Sequence, residues 1–327
     1  MSTTHRLDAA PETVRFGAFD ASFAPVLTVA SGDRVVMQCV SGPAQVMPPE
    51  GSGLAVPPEL QAIHAAVAEG RLAQLGPHLV TGPVAVAGAE PGDALRVEIE
   101  AIELGADWGY NHFRPLVGTL PEDFPYRRLI HIPVDRAANT CRLPFGPQGG
   151  LELPLSPFFG VMGVAPPVEW GPISTKEPRA HGGNLDNKEL VAGTTLWLPV
   201  HAPGALFSAG DGHGVQGDGE VCVTALEMCL TGTFRLSLEK GGGARQPALR
   251  YPRAETPTHY ISMGMHEDLD MAMKQALREM IAFIVARAQI SAAEAYQFCS
   301  LAVDFRVTQT VNGEKGVHGM LRKGLLF

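Results

Sequence analysis

The sequence predicts a β-rich body over residues 1–240 and an α+β C-terminal part over residues 241–327 that packs on the body and is not independent of it. Three observations carry this expectation. Short apolar runs, several of them alternating with polar residues, recur along most of the chain, as half-buried strands require. The 37 glycines and 27 prolines are spread throughout, which fits many tight turns and not a disordered tract. Beyond residue 268 the apolar spacing changes to that of a helix.

The elements follow in order. Val26, Leu27 and Val29 precede the turn Ser31-Gly32-Asp33, and Val35, Val36 and Met37 follow it, so two strands are expected. Leu60, Ile63, His64 and Val67 recur at helical spacing, which predicts a helix over 58–75 stopped by Gly76-Pro77. Val84 and Val86 mark a strand, and a turn over 89–93 leads to Leu95, Val97 and Ile99, which alternate with Arg96, Glu98 and Glu100. Residues 105–180 are dense in Pro, Gly and aromatics without a clear period and read as functional loop or covering structure. Strands return over 195–200, 205–208, 221–230 and 234–238. Leu269, Met273, Ala276, Leu277, Met280, Ile281, Ile284 and Val285 form one helical face. Ser291 and Glu294 make a capping box that opens a second helix, and a strand over 305–311 follows.

Composition narrows the function. A net charge of −9 gives no electrostatic reason to bind nucleic acid. No run of about 18 apolar residues exists, so no membrane span is expected. The N-terminus lacks the apolar core of a signal peptide. Five scattered cysteines, without a CxxC pair, fit reduced thiols in a cytoplasmic protein, with Cys222 and Cys229 in the core. His64 reads as a packing histidine.

The chemistry is expected between residues 181 and 227. His181, Asn184, Asp186, Asp211, His213, Gln216, Asp218, Glu220 and Glu227 are interleaved with glycine and apolar residues, and few Lys or Arg accompany them. Acids and imidazoles gathered without cations call for a metal ion. Asp211 and His213 are two apart, as are Asp218 and Glu220, and residues at that spacing project to one side of an extended chain. In a strand over 221–230, Glu227 shares a face with Val221, Val223 and Ala225, where burial raises its pKa and makes it a candidate proton carrier. Were the segment a helix, Glu220 and Glu227 would share a face instead. The match of residues 212–217 to GxGxxG is not a dinucleotide loop, because Asp211 and Asp218 would repel a pyrophosphate. No GxSxG, P-loop or HExxH pattern is present.

Several motifs in order resemble the acetamidase/formamidase family. They are Gly76-Pro-His78 with Thr81-Gly-Pro83, Gly88-Ala-Glu-Pro-Gly-Asp93, Trp108-Gly109, His181-Gly-Gly-Asn184-Leu-Asp186, Leu198-Pro-Val200, Gly204-Ala-Leu206, Gly210-Asp-Gly-His213 and Gln216-Gly-Asp-Gly-Glu220. The resemblance covers nearly the whole chain. It implies an acetamidase/formamidase-like fold, hydrolysis of the C–N bond of small linear amides to ammonia and a carboxylate, and a homodimer. Members of the family resembled here carry a divalent metal in some cases. Gly212 and Gly214 depart from the pattern and are expected to loosen the loop.

The expected assignment puts a divalent ion, zinc with calcium as the alternative, on Asp211 and His213, with Asp218, Glu220 and Asp186 completing or bracing the site. Glu227 moves the proton. His181, Asn184 and His78 hold the amide or its oxyanion, and Asp93 and Trp108 complete the pocket. Other readings are a hydrolase of lactams, cyclic imides or N-formyl compounds, a non-catalytic small-molecule binding protein, and a calcium ion that only braces the loop.

Overall fold

Strand-forming segments dominate the chain, and their burial patterns sort them into layers. The computed structural model describes residues 2–146, 150–241 and 249–327, and its strands are numbered here in chain order. The largest sheet runs β1 (Thr4–Leu7), β5 (Asp33–Cys39), β17 (Leu230–Glu239), β7 (Ala94–Leu104), β15 (Thr194–Pro199), β18 (Arg253–Glu255), β19 (His259–His266), β21 (Lys315–Arg322), β20 (Val303–Gln309). In β5 every second residue is buried, the pattern of a strand with one face on a core.

A second sheet runs β14 (Gly182–Asn184), β12 (Phe158–Gly163), β16 (Phe207–His213), β6 (Leu79–Val86), β2 (Val14–Phe16), and β4 (Leu27–Val29) pairs with β6. Its central strands β6, β12 and β16 are buried at every residue, so protein covers both of their faces. The two sheets share one core, in which Phe234 packs on Phe159 and Phe207 with ring centroids 5.3 and 5.5 Å away. A third sheet runs β11 (Leu151–Pro154), β10 (Thr140–Leu143), β9 (Arg128–Asp135), β8 (Trp108–Phe113), and β3 (Ala18–Phe19) pairs with β13 (Ile173–Ser174).

The C-terminal part continues the large sheet, since Leu196 on β15 pairs with Ala254 on β18. Helices α2 (Leu269–Ala288) and α3 (Ala292–Ala302) follow β19. The predicted capping box at Ser291 and Glu294 is present. Helix α2 lies directly on β19, where the Ser262 hydroxyl donates to the Ala276 carbonyl at 2.8 Å and Met265 N–H donates to the Gln275 side chain at 2.7 Å. Gly264 permits this approach, because a Cβ there would meet the Ala276 amide nitrogen at 2.5 Å. Among the described residues no helix is long and apolar enough to cross a membrane.

Four expectations need correction. The first helix, α1 (Pro58–Ala68), stops seven residues short of Leu75, and Gly70 in the turn after it has φ +72°. Much of 105–180 is sheet, because β8 to β12 lie within it. The strand expected over 205–208 starts at Phe207, after Ala205 and Leu206 at φ +59° and +60°, and runs to His213. The strand expected over 221–230 does not form: Val223 has φ +82°, and only Leu230 enters a strand, β17.

Two stability predictions follow from this packing. Gly264→Ala should lower unfolding free energy by about 1–3 kcal/mol, seen as a lower midpoint in denaturant, because α2 must shift to admit a methyl group. Burial pulls the pKa of His318 down to about 4 and that of His181 to about 3. The unfolded chain protonates these rings near pH ~6.5 while the fold refuses the proton, so their contribution is complete above that pH and is lost as pH falls toward 4. For His318 alone this amounts to on the order of 3 kcal/mol, and in His318→Gln the fall of thermal midpoint with pH should be shallower.

Candidate active site

Strand β16 brings Asp211 and His213 into the fold on the same side, with Asp211 Oδ2 3.4 Å from His213 Nε2. The positive φ of Asp211, +55°, sits within that strand. Across from it, Gly160 on β12 leaves the space these side chains need. A Cβ at Gly160 would stand 2.5 Å from Asp186 Oδ1, 2.8 Å from Asp211 Oδ2 and 2.9 Å from the His213 ring. Asp186 arrives just beyond β14 at φ +45°.

Glu227 enters from the irregular segment before β17. Its backbone pairs with Tyr110 on β8 through two 2.9 Å hydrogen bonds, which fixes its position without a strand of its own. Its Oε1 accepts from Ala225 N–H at 2.9 Å and lies 3.2 Å from His213 Nε2. Glu220 is buried in a turn at φ +43°. The C-terminal part reaches back to this turn. Gly219 N–H donates to the Thr308 carbonyl, Thr310 N–H donates to the Gly219 carbonyl, and the Asn312 side chain donates to Asp186 Oδ2. Buried Gln309 shapes that loop by accepting from Val311 and Asn312 N–H and donating to the Glu314 carbonyl.

The Gln216 amide nitrogen donates to the Asp186 carbonyl at 2.8 Å, so its oxygen faces His213 Nδ1 at 2.9 Å. Nδ1 therefore carries hydrogen, and Nε2 is directed at Asp211 and Glu227. Burial raises the pKa of Glu227 to about 7, helped by the charge of Asp211 and opposed by His213. Burial likewise raises Glu220 and Asp186, each reinforced by a neighbouring carboxylate. Burial would raise Asp211 too, but His78 and His213 outweigh it and hold Asp211 well below the usual range. His213 runs the other way: burial favours its neutral form, while Glu227 and Asp211 carry its pKa well up. Tyr110 is pushed up by burial and by Glu227.

Two sets of ligand atoms converge within 4.8 Å, Asp211–His213–Glu227 and Asp186–His213–Glu220. Asp186 Oδ1, Glu220 Oε2 and His213 Nε2 are buried without a hydrogen-bond partner. Donors of this type, left unmatched and short of cations, fit a divalent ion. The first set suits it better, because Gln216 already occupies His213 Nδ1.

Above these groups lies a cavity of about 400 Å³, lined by Asp211, Glu220 and Glu227 together with His78, Tyr110 and Asn184, among others. Asn184 Oδ1 is buried without a partner. His78 Nδ1 faces the Thr175 carbonyl at 3.1 Å, and its Nε2 lies 3.8 Å from Asp211 Oδ2.

Other expected residues lie elsewhere. Asp218 turns away from Glu220 and pairs with Lys188 at 3.0 Å, because Gly219 and Glu220 both have positive φ and break the same-side spacing. His181 is buried beside Phe19 with ring centroids 5.1 Å apart and does not line the cavity. Trp108 donates to the Ala55 carbonyl and is walled off, while its neighbour Tyr110 faces the cavity. Asp93 accepts from Glu90 and Gly241 N–H and from Lys240, bracing a turn remote from the cavity. Gly212 and Gly214 do not loosen the loop: a Cβ on Gly212 would strike the Met228 carbonyl, and one on Gly214 would stand 2.7 Å from Met228 Sδ. His64 packs as expected, on the Gly42 carbonyl at 3.0 Å. Cys229 is buried, but Cys222 is only half-buried, against Asn111. Gly160 and Asn312 were not expected at the site, and Tyr110 is one of the aromatics near Trp108 expected to wall the pocket. Tyr110 follows the Trp108-Gly109 motif directly, whereas Gly160 and Asn312 carry no sequence signal.

Comparisons with known proteins identify the family. Formamidase from Methylophilus methylotrophus is 29% identical over 236 residues, which is 56% of this chain and 57% of that protein. Acetamidase from Mycolicibacterium smegmatis is 28% identical over 220 residues, 50% of this chain and 54% of that protein. The chain thus matches about half the length of these curated relatives. The crystal structure of an acetamidase from Bacillus halodurans superposes with a TM-score of 0.81 and 31% identity over 97% of each chain. A model of the Acetamidase/Formamidase family matches residues 64–173 and 169–317. That match spans every acidic residue and histidine of the buried group, and the chain belongs to the acetamidase/formamidase family.

Proposed function

We propose that this chain hydrolyses the carboxamide C–N bond of small linear amides, with a divalent metal held by Asp211 and His213. The observation that carries the reading is the buried Asp211–His213–Glu227 group, whose two acids line the cavity above it. The relatives named formamidase and acetamidase support linear amides as the substrates.

Hydrolysis adds water across the C–N bond. Water attacks the carbonyl carbon while Glu227 takes its proton, and a pKa of about 7 suits a group that must accept that proton and release it again. Glu227 then passes the proton to the nitrogen, the C–N bond breaks, and ammonia and the carboxylic acid leave. Oε1 of Glu227 is anchored on Ala225 N–H, which leaves its other oxygen for this work. The unpartnered Oδ1 of Asn184 accepts from the substrate N–H2 group and orients the carbonyl toward the floor. When bound, the metal polarises the carbonyl and lowers the pKa of water toward ~7. Both convergent sets include the His213 imidazole, which favours zinc over calcium, an ion that prefers oxygen alone.

We further propose that the chain acts as a homodimer in the cytoplasm. Leu151 and Leu153 on edge strand β11, with nearby Phe145, are exposed and offer an apolar surface to a second copy.

Glu227→Gln should lower kcat for acetamide about 10²- to 10⁴-fold, a fall much larger than any loss of metal content measured on the same sample. Asp211→Asn should lose the metal itself, and ammonia release should stop on chelation and return with added zinc. Full activity in either variant would defeat the assignment. Gly160→Ala fills the space between Asp186, Asp211 and His213. It should cut metal content and turnover together while the far-UV circular dichroism stays that of the parent.

A further inference from the structure

The cavity is larger, and its rim more basic, than the smallest amides require. Its volume of about 400 Å³ falls within the range of pockets that enclose far bigger ligands, whereas acetamide carries only a methyl group beyond its carboxamide. The floor is acidic, since Asp211, Glu220 and Glu227 are all buried. The lining also includes Arg114 and Lys176, and both reach solvent.

Arg114 brings a guanidinium to the cavity lining. Among the described residues Arg114 has neither an ion pair nor a hydrogen bond. Among the described residues the Lys176 ammonium pairs only with its neighbour Glu177, at 4.0 Å. The lining also holds His112, whose Nδ1 is buried without a partner, and Val117, Val223 and Val311.

From this arrangement we infer that the preferred substrate is an amide whose acyl arm ends in a carboxylate, with the amide on the acidic floor and the carboxylate on Arg114. The inference rests on the amidase reading above and names its substrate class. The Arg114 guanidinium can meet a carboxylate with two parallel hydrogen bonds. The valine side chains suit a short methylene arm. Charge also sets the direction of binding, because a carboxylate placed on the floor would face Asp211, Glu220 and Glu227. Burial, with Arg114 and Arg127 nearby, lowers the His112 pKa to about 4, so His112 is a neutral polar contact and the positive charge belongs to the arginine.

The test compares ammonia release from succinamate, the monoamide of succinic acid, with that from 4-oxopentanamide, which has the same length but a methyl ketone in place of the carboxylate. The metal-loaded full chain should favour succinamate in kcat/KM by about tenfold at low salt, mostly through KM, as a charge-assisted contact at a solvent-exposed rim would give. The preference should shrink as salt rises. Arg114→Gln should bring the ratio near unity and Arg114→Lys should keep part of it, with metal content and thermal midpoint compared with the parent to show an intact fold. Equal kcat/KM for the two amides in the parent, or a preference that survives in Arg114→Gln, overturns the inference and leaves the amidase reading standing. Turnover of acetamide but of neither longer amide does the same. Release of ammonia from none of the three overturns both.

Discussion

Four buried carboxylates, Asp186, Asp211, Glu220 and Glu227, surround the single imidazole of His213, and among the described residues no lysine or arginine is paired with any of them. Each such charge costs several kcal/mol to remove from water unless something compensates it. The rest of the site is arranged around that cost. Backbone N–H of Ala225 bonds Glu227, Asn312 bonds Asp186, and Gln216 locks the imidazole by tying it to the Asp186 carbonyl. What these neutral groups leave over must be met by shared protons or by a cation. That requirement links the raised pKa values of Glu220, Asp186 and Glu227 to the case for a metal.

A buried acidic cluster also needs a stiff frame, or its members would move apart. The frame is the pair of sheets packed on Phe159, Phe207 and Phe234. Strands β12 and β16 lie in its middle, and their register places Val161 against Gly210 and Phe159 against Gly212, so Gly160 lies across from Asp211. Asp211 and His213 thus grow from the buried middle of that sheet, while residues within 110–118 and 310–313 supply part of the cavity lining.

The sequence was most legible where one face of an element is buried and the other is not. Alternation showed β7, an apolar run after a turn showed β5, and the helical period with the capping box showed α2 and α3. It failed where that contrast vanishes. All four residues of β11 are exposed, and the strands of that third sheet blurred into an apparent loop. It failed again where backbone conformation overrides pattern. Residues 221–230 read as a strand, yet the positive φ of Glu220 and Val223 turns the chain away. The same contrast divides the site. Asp211 and His213 lie in a regular strand, so their spacing of two kept its geometric meaning. Asp218 and Glu220 lie in a turn with positive φ, and their identical spacing did not. Asn312 and Gly160 depend on tertiary approach alone, which spacing along the chain does not encode.

The bond from Asn312 to Asp186 spans most of the distance between the middle and the end of the chain. During synthesis Asp186, Asp211 and Glu227 leave the ribosome well before residue 312 does. Until then Asp186 lacks its amide partner, and the turn at Gly219 lacks the strand it leans on. A nascent chain that has not reached residue 312 therefore holds all four acids of the site with part of their support missing. Burial of these acids thus depends on a strand pair that follows them in the chain, which makes their support a long-range and not a local property.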